Sequence, residues 1–197
     1  MDVAAFSRLR LPLTLAVALA YTSLLVWQQL NGGVPGHSFM ARDDLPVISN
    51  WWGALVLPSL TFFLTGRLRA RLVKAGLDSG VGARGADVAL GIAGAAFVGA
   101  LLYGAILAAS FATGHAEVSS LLFQSLLLIG LLLPIYRAEY VLGFVFGLTL
   151  TFGAVLPTFI ATVMATISGV LHLTVRRGFT WLMARRASGG PASRPKN

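Results

Sequence analysis

The chain has 197 residues, of which 56% are hydrophobic and only 11% charged, and its mean hydropathy is +0.80. Soluble domains carry about 25% charged residues to keep their surfaces in water, so a soluble globule is excluded and the bilayer becomes the solvent in which the fold is read. The net charge of +8 would suggest nucleic acid in a soluble protein; here the basic residues stand at the ends of apolar runs, where they set membrane orientation, and no nucleic-acid partner is expected.

The first apolar run covers residues 11–30, long enough to cross about 30 Å of hydrocarbon. Arg8 and Arg10 precede it, and Ala18 and Ala20 offer an A-x-A cleavage pattern. The run continues past that point through Leu24, Leu25, Val26 and Trp27, which favours a retained membrane helix.

The segment that follows is the most polar of the chain. It holds Asn31, Gly32, Gly33, Pro35, Gly36, His37 and Ser38, then Arg42, Asp43 and Asp44, and finally Ser49, Asn50, Trp51 and Trp52. Three readings compete. The glycines and Pro35 make turns, Arg42 pairs with the aspartates, Asn50 caps a helix and the Trp pair joins an interfacial aromatic belt. Alternatively His37, Asp43 and Asp44 hold a divalent metal such as zinc or manganese, with His115 and Glu117 of the other long loop on the same side. In the third, the loop folds back as a ligand-binding lid with Trp51 and Trp52 at its mouth.

The second run covers residues 51–66, entered through Ser49 and Asn50, both good N-caps, with Pro58 in its middle removing a backbone donor. Arg67, Arg69, Arg71 and Lys74 follow it directly and suit either a topology anchor or anionic lipid head groups. Gly80, Gly82 and Gly85 match G-x-G-x-x-G, but no strand precedes them and a βαβ unit needs more chain, so a turn is expected.

The third run, residues 88–113, carries two rows of small residues: Gly91, Ala95 and Gly99, and Ala96, Ala100, Gly104 and Ala108. Such rows let backbones approach closely in lipid, so both are expected to make contacts and this helix to stand at the centre. The fourth run covers residues 118–136. From Ala138 to Val175 the only charged residue is Glu139. One helix of that length would reach about 57 Å, so a split between Gly153 and Pro157 is expected, giving spans 139–154 and 157–175. Gly143 and Gly147 are expected to make close contacts, and Arg137 and Glu139 to balance each other. The tail, residues 187–197, is Ser, Gly, Pro and Arg without periodicity and is expected to be disordered.

Charge supports the split. With six crossings, 14 of the 15 basic residues fall on one side and Arg42 alone on the other, as the positive-inside rule requires. The Arg-rich, Ala- and Gly-rich composition reads as bacterial, placing the chain in a bacterial inner membrane as a multi-pass protein. There are no cysteines, so disulfides and thiolate metal sites are excluded.

The expectation is therefore an all-α, polytopic membrane helix bundle of about six transmembrane helices, a single domain over residues 1–186 with both termini cytoplasmic. Nothing charged stands near the middle of a span, and Thr158, Thr162 and Thr166 share one face of the last helix. His172 lies near the cytoplasmic end, too far from His37 and His115 to share an ion with them. No G-x-S-x-G, H-E-x-x-H or P-loop pattern is present, so enzymatic activity is left open. Three functions stand: a small carrier, channel or ligand-binding protein with its site on the external face, a metal-dependent membrane enzyme using the first external loop, or an accessory subunit of a membrane complex. A carrier predicts that Thr158, Thr162 and Thr166 face a hydrated cavity. The external candidates are His37, Arg42, Asp43, Asp44, Asn50, Trp51, Trp52, His115 and Glu117.

Overall fold

A computed structural model describes the backbone of residues 3–34, 36–38, 47–78 and 83–188, with side chains over 8–34, 49–76 and 84–175. Within these residues the chain forms six helices: α1 (Val3–Leu30), α2 (Gly53–Asp78), α3 (Ala83–Ala112), α4 (Ala116–Leu132), α5 (Ala138–Phe152) and α6 (Val155–Ser188). A short antiparallel pair, β1 (Gly36–Ser38) and β2 (Val47–Ser49), links α1 to α2, with His37 opposite Ile48. Three helices are long and apolar enough to cross a membrane, over Arg8–Leu30, Arg84–Ala112 and Val155–Val175, and α4 and α5 are shorter apolar helices.

The polarity of the bundle is reversed relative to a soluble protein. Large apolar side chains such as Leu19, Leu102, Leu128 and Val170 are exposed, whereas Thr61, Thr65, Ser168 and Glu139 are buried. Exposed apolar surface of that extent is stable only against hydrocarbon, and this identifies a membrane protein.

The helices outrun their apolar stretches. α2 passes through Pro58 and carries Arg67, Arg69, Arg71 and Lys74 on its own last turns rather than on a following loop. Arg10 is also more than an anchor. Its guanidinium donates to the Phe62 carbonyl from Nε (3.0 Å) and Nη2 (2.8 Å) and lies 3.7 Å from the Phe62 ring centre. Gly66 makes room for it, since a Cβ there would stand 2.7 Å from Nη2. The clamp joins α1 to α2 through a charge-assisted bond to backbone.

The most extensive interface is α3 against α5, and glycine creates it. A Cβ on Gly104 would lie 2.8 Å from the Phe144 carbonyl oxygen, and one on Gly147 would overlap the Leu101 carbonyl and stand 2.7 Å from the Ala105 nitrogen. Gly143 similarly abuts the Phe97 carbonyl and the Ala100 side chain. The row containing Ala100 and Gly104 therefore makes the contact, while Gly91 and Gly99 of the other row face open space. The central helix is α5 rather than α3. Residues from Val141 through Val145, with Leu148 and Thr149, are all buried.

The chain reverses between α5 and α6 at Gly153, whose φ of +69° favours glycine. Asn50 is buried against that glycine, and any Cβ at position 153 would overlap its amide oxygen. Tyr21 shares the buried core with Ala154, which is itself fully buried, and Gly53 leaves space for the Tyr21 ring. Helices α1 and α2 are thus tied to the α5–α6 turn at one end of the bundle. The opposite end carries the basic last turns of α2 and the start of α5.

Candidate functional site

The polar site of the described residues forms where α5 begins. Arg137 precedes the helix in an extended conformation and makes no side-chain cap bond, so the first turn depends on other partners. Glu139 occupies that turn, where the helix dipole favours a carboxylate. Its side chain is only 2% exposed, and its ion partner is Arg71 of α2, with Nη1 2.7 Å from Oε1. The pair expected with Arg137 is therefore made with Arg71. The guanidinium is close in distance but not directed as a hydrogen bond, so neither buried oxygen of Glu139 receives a directed donor.

Glu139 stands at the wall of a cleft of about 580 Å³ between α1, α2, α3 and α5. Leu13, Val17, Leu64, Phe97, Leu142 and Phe146 are among its apolar lining residues, and Thr61, Thr65, Asp87 and Glu139 are its polar members. The volume falls within the roughly 300–1,000 Å³ of small-molecule sites. Two features of α3 create the space. Gly104 draws α3 onto α5 toward one end, whereas Gly91 and Gly94 in the cleft wall have no atom within 4 Å of where a Cβ would be. Both glycines are exposed, so the cleft is open along the α3 side.

The threonines of the cleft turn their hydroxyl protons away from it. Thr61 Oγ1 donates to the Leu57 carbonyl (2.8 Å) and Thr65 Oγ1 to the Thr61 carbonyl (2.6 Å). Their hydroxyls are left with acceptor capacity alone. A second cavity of about 240 Å³, between α3, α4, α5 and α6, is lined by Tyr103, Tyr140 and Met164 among others. Tyr103 is committed there, donating to the Leu122 carbonyl and lying 2.8 Å from Ser125 Oγ, which fastens α3 to α4. A third cavity, about 350 Å³ beside Phe111, Phe123 and Leu148, is almost wholly apolar.

The residues singled out from sequence are dispersed. The side chain of His37, and Arg42, Asp43 and Asp44 altogether, lie outside the described residues. Asn50 is a packing residue at Gly153, and of the two expected caps Ser49 makes the bond, its hydroxyl accepting from the Trp51 N–H at 3.3 Å. Trp51 and Trp52 are exposed beside it. His115 ends the α3–α4 turn with Nδ1 2.8 Å from Thr113 Oγ1, and Glu117 is exposed in the first turn of α4. Among the described residues no group of three His, Cys, Asp or Glu side chains could hold a metal ion. His172 lies at the other end of the bundle from His115, its Nδ1 2.9 Å from the Ser168 carbonyl and its ring 6.0 Å from that of Tyr136.

The threonine face of α6 lines none of the three cavities described above. Thr158, Thr162 and Thr166 each donate to the carbonyl four residues earlier, at 2.6, 2.7 and 2.8 Å, and Thr162 and Thr166 point outward. Such back-bonding satisfies a hydroxyl within its own helix. The Glu139–Arg71 pair escaped the sequence reading, although one signal was present. An acidic residue at the mouth of a long apolar stretch is costly and marks function or a specific partner.

No protein-family model matches the chain, and no curated protein or solved structure is significantly similar to it. The reading of function rests on the molecule itself.

Proposed function

We propose that the chain is a six-crossing bacterial inner-membrane protein with both termini cytoplasmic, and that it binds an amphiphilic small molecule in the cleft between α1, α2, α3 and α5, acting as a small carrier or ligand-binding protein. The observation that carries this reading is the cleft itself: an apolar space of about 580 Å³, open along one side, with the buried carboxyl group of Glu139 at its wall. Apolar sites with a few placed polar groups are the usual form of small-molecule sites, and buried ionisable groups inside a membrane protein are retained for function. The basic last turns of α2 support the orientation, and the exposed Arg67, Arg69 and Lys74 there are free to meet anionic lipid head groups while Arg71 is engaged with Glu139.

The topology is tested with single cysteines, which need no background removal because the chain contains none. With six crossings, a membrane-impermeant maleimide labels Ala116→Cys in intact cells, whereas Lys74→Cys and Ser188→Cys react only after permeabilisation. Labelling of Ser188→Cys in intact cells would put the C-terminus outside and overturn this topology.

The cleft is tested by filling it. Gly94 has open space beside it, so Gly94→Phe places a ring in the cleft without displacing backbone. Mass spectrometry of the purified wild type should find a retained amphiphile, reduced roughly tenfold in Gly94→Phe, a loss of about 1.4 kcal/mol of binding. Equal retention in both would remove the cleft from consideration.

A further inference from the structure

We infer that the ligand of this cleft carries a hydrogen-bond-donating cationic head, of the alkylamine class, received by Glu139. The inference rests on the cleft being the binding site and adds the chemistry of what enters it. Glu139 is 2% exposed and lines the cleft, and its Oε2 is buried without a donor. An ionised carboxylate offers about four lone-pair positions and no proton. Leaving them empty in a low-dielectric wall is costly, and a donor that enters recovers that cost.

The other polar members give the same polarity. The hydroxyl protons of Thr61 and Thr65 are spent on carbonyls of their own helix, leaving acceptor capacity alone. Asp87 is the second carboxylate of the wall and is engaged by a partner of its own, so the assignment stands on Glu139. Arg71, the donor-rich partner of Glu139, is not among the residues that line the space. A carboxylate or phosphate head would meet acceptors and like charge there. An ammonium head presents three donors and the opposite charge, with its chain lying along Leu13, Val17, Phe97 and Phe146.

The test compares three probes of equal chain length, dodecylamine, dodecanol and dodecanoic acid, on the full-length protein in nanodiscs. Gly94→Phe serves as the blank that subtracts partition into lipid. The amine should bind the wild type at least about tenfold more tightly than the alcohol, as a charge-assisted bond implies, and the acid most weakly. Glu139→Gln should abolish the preference for the amine, bringing its affinity to that of the alcohol. If Glu139→Gln does not fold, Arg71→Gln/Glu139→Gln removes both charges and should give the same result. Equal binding of the three probes, tightest binding of the acid, or an amine preference that survives loss of Glu139 would overturn the assignment of the head group while leaving the cleft intact. If no probe binds the wild type better than Gly94→Phe, the cleft reading itself falls and this assignment with it.

Discussion

Replacing Gly147 with alanine is expected to destabilise the bundle by about 3 kcal/mol, the upper range for overpacking a close contact, read as a lowered unfolding midpoint of the purified protein in a denaturing-detergent titration. The added methyl would overlap the Leu101 carbonyl and the Ala105 nitrogen. Both neighbours are backbone atoms inside a helix, so relief requires separating α3 from α5 along their whole contact. In lipid no hydrophobic effect compensates such a separation, because tails are as apolar as the side chains. Gly91→Ala and Gly94→Ala provide the control on the neighbouring face of α3. Neither Cβ would meet an atom within 4 Å, so each should stay within about 0.5 kcal/mol of wild type. If Gly147→Ala proves as mild as these, the close crossing of α3 and α5 is refuted.

The second large effect concerns the ion pair. Arg71→Ala should cost about 3 kcal/mol, since it leaves the carboxylate of Glu139 buried and uncompensated. That is the low end for a broken buried pair, because Arg71 retains about a third of its surface and part of its attraction is screened. Glu139→Gln should be milder, at about 1 kcal/mol, since the exposed side of Arg71 can turn its charge to water. Replacing both, as Arg71→Met/Glu139→Leu, should recover most of the stability lost in Arg71→Ala, as apolar substitutes for buried pairs commonly do. The double-mutant cycle checks this directly. Equal losses for the two single variants would mean that the pair is solvated, contrary to the 2% exposure of Glu139.

Much of the architecture was readable before any coordinates. A bilayer demands runs of about 20 apolar residues, and those runs marked six helices, including the division of the last apolar stretch near Gly153. Gly143 and Gly147 were readable as contact residues because close helix approach in lipid requires small side chains. The partner row was not. Both rows on α3 have the same spacing, and only the position of α5 decides that Gly104 is covered while Gly91 borders a cleft. The same limit applies to Glu139. Its nearest basic residue in sequence is Arg137, and local spacing carries no information that Arg71, on another helix, stands 2.7 Å away. Asn50 has a side chain suited to capping, and nothing local indicates that it lies buried against Gly153. Composition and periodicity report which surfaces a helix owns, and the pairing of those surfaces is a property of the whole chain.

Helix α5 has only 15 residues, about 22 Å at 1.5 Å per residue, shorter than the roughly 30 Å of a bilayer's hydrocarbon core. Alone it would leave lipid in contact with its polar ends and would carry Glu139 into the membrane unmatched. Its surroundings remove both difficulties: Arg71 on α2 and the glycine face of α3 belong to elements that precede it in the chain. The order of synthesis therefore matches the order of need. Helix α6, which follows α5 in the chain, packs on a further face of it and completes the core around it.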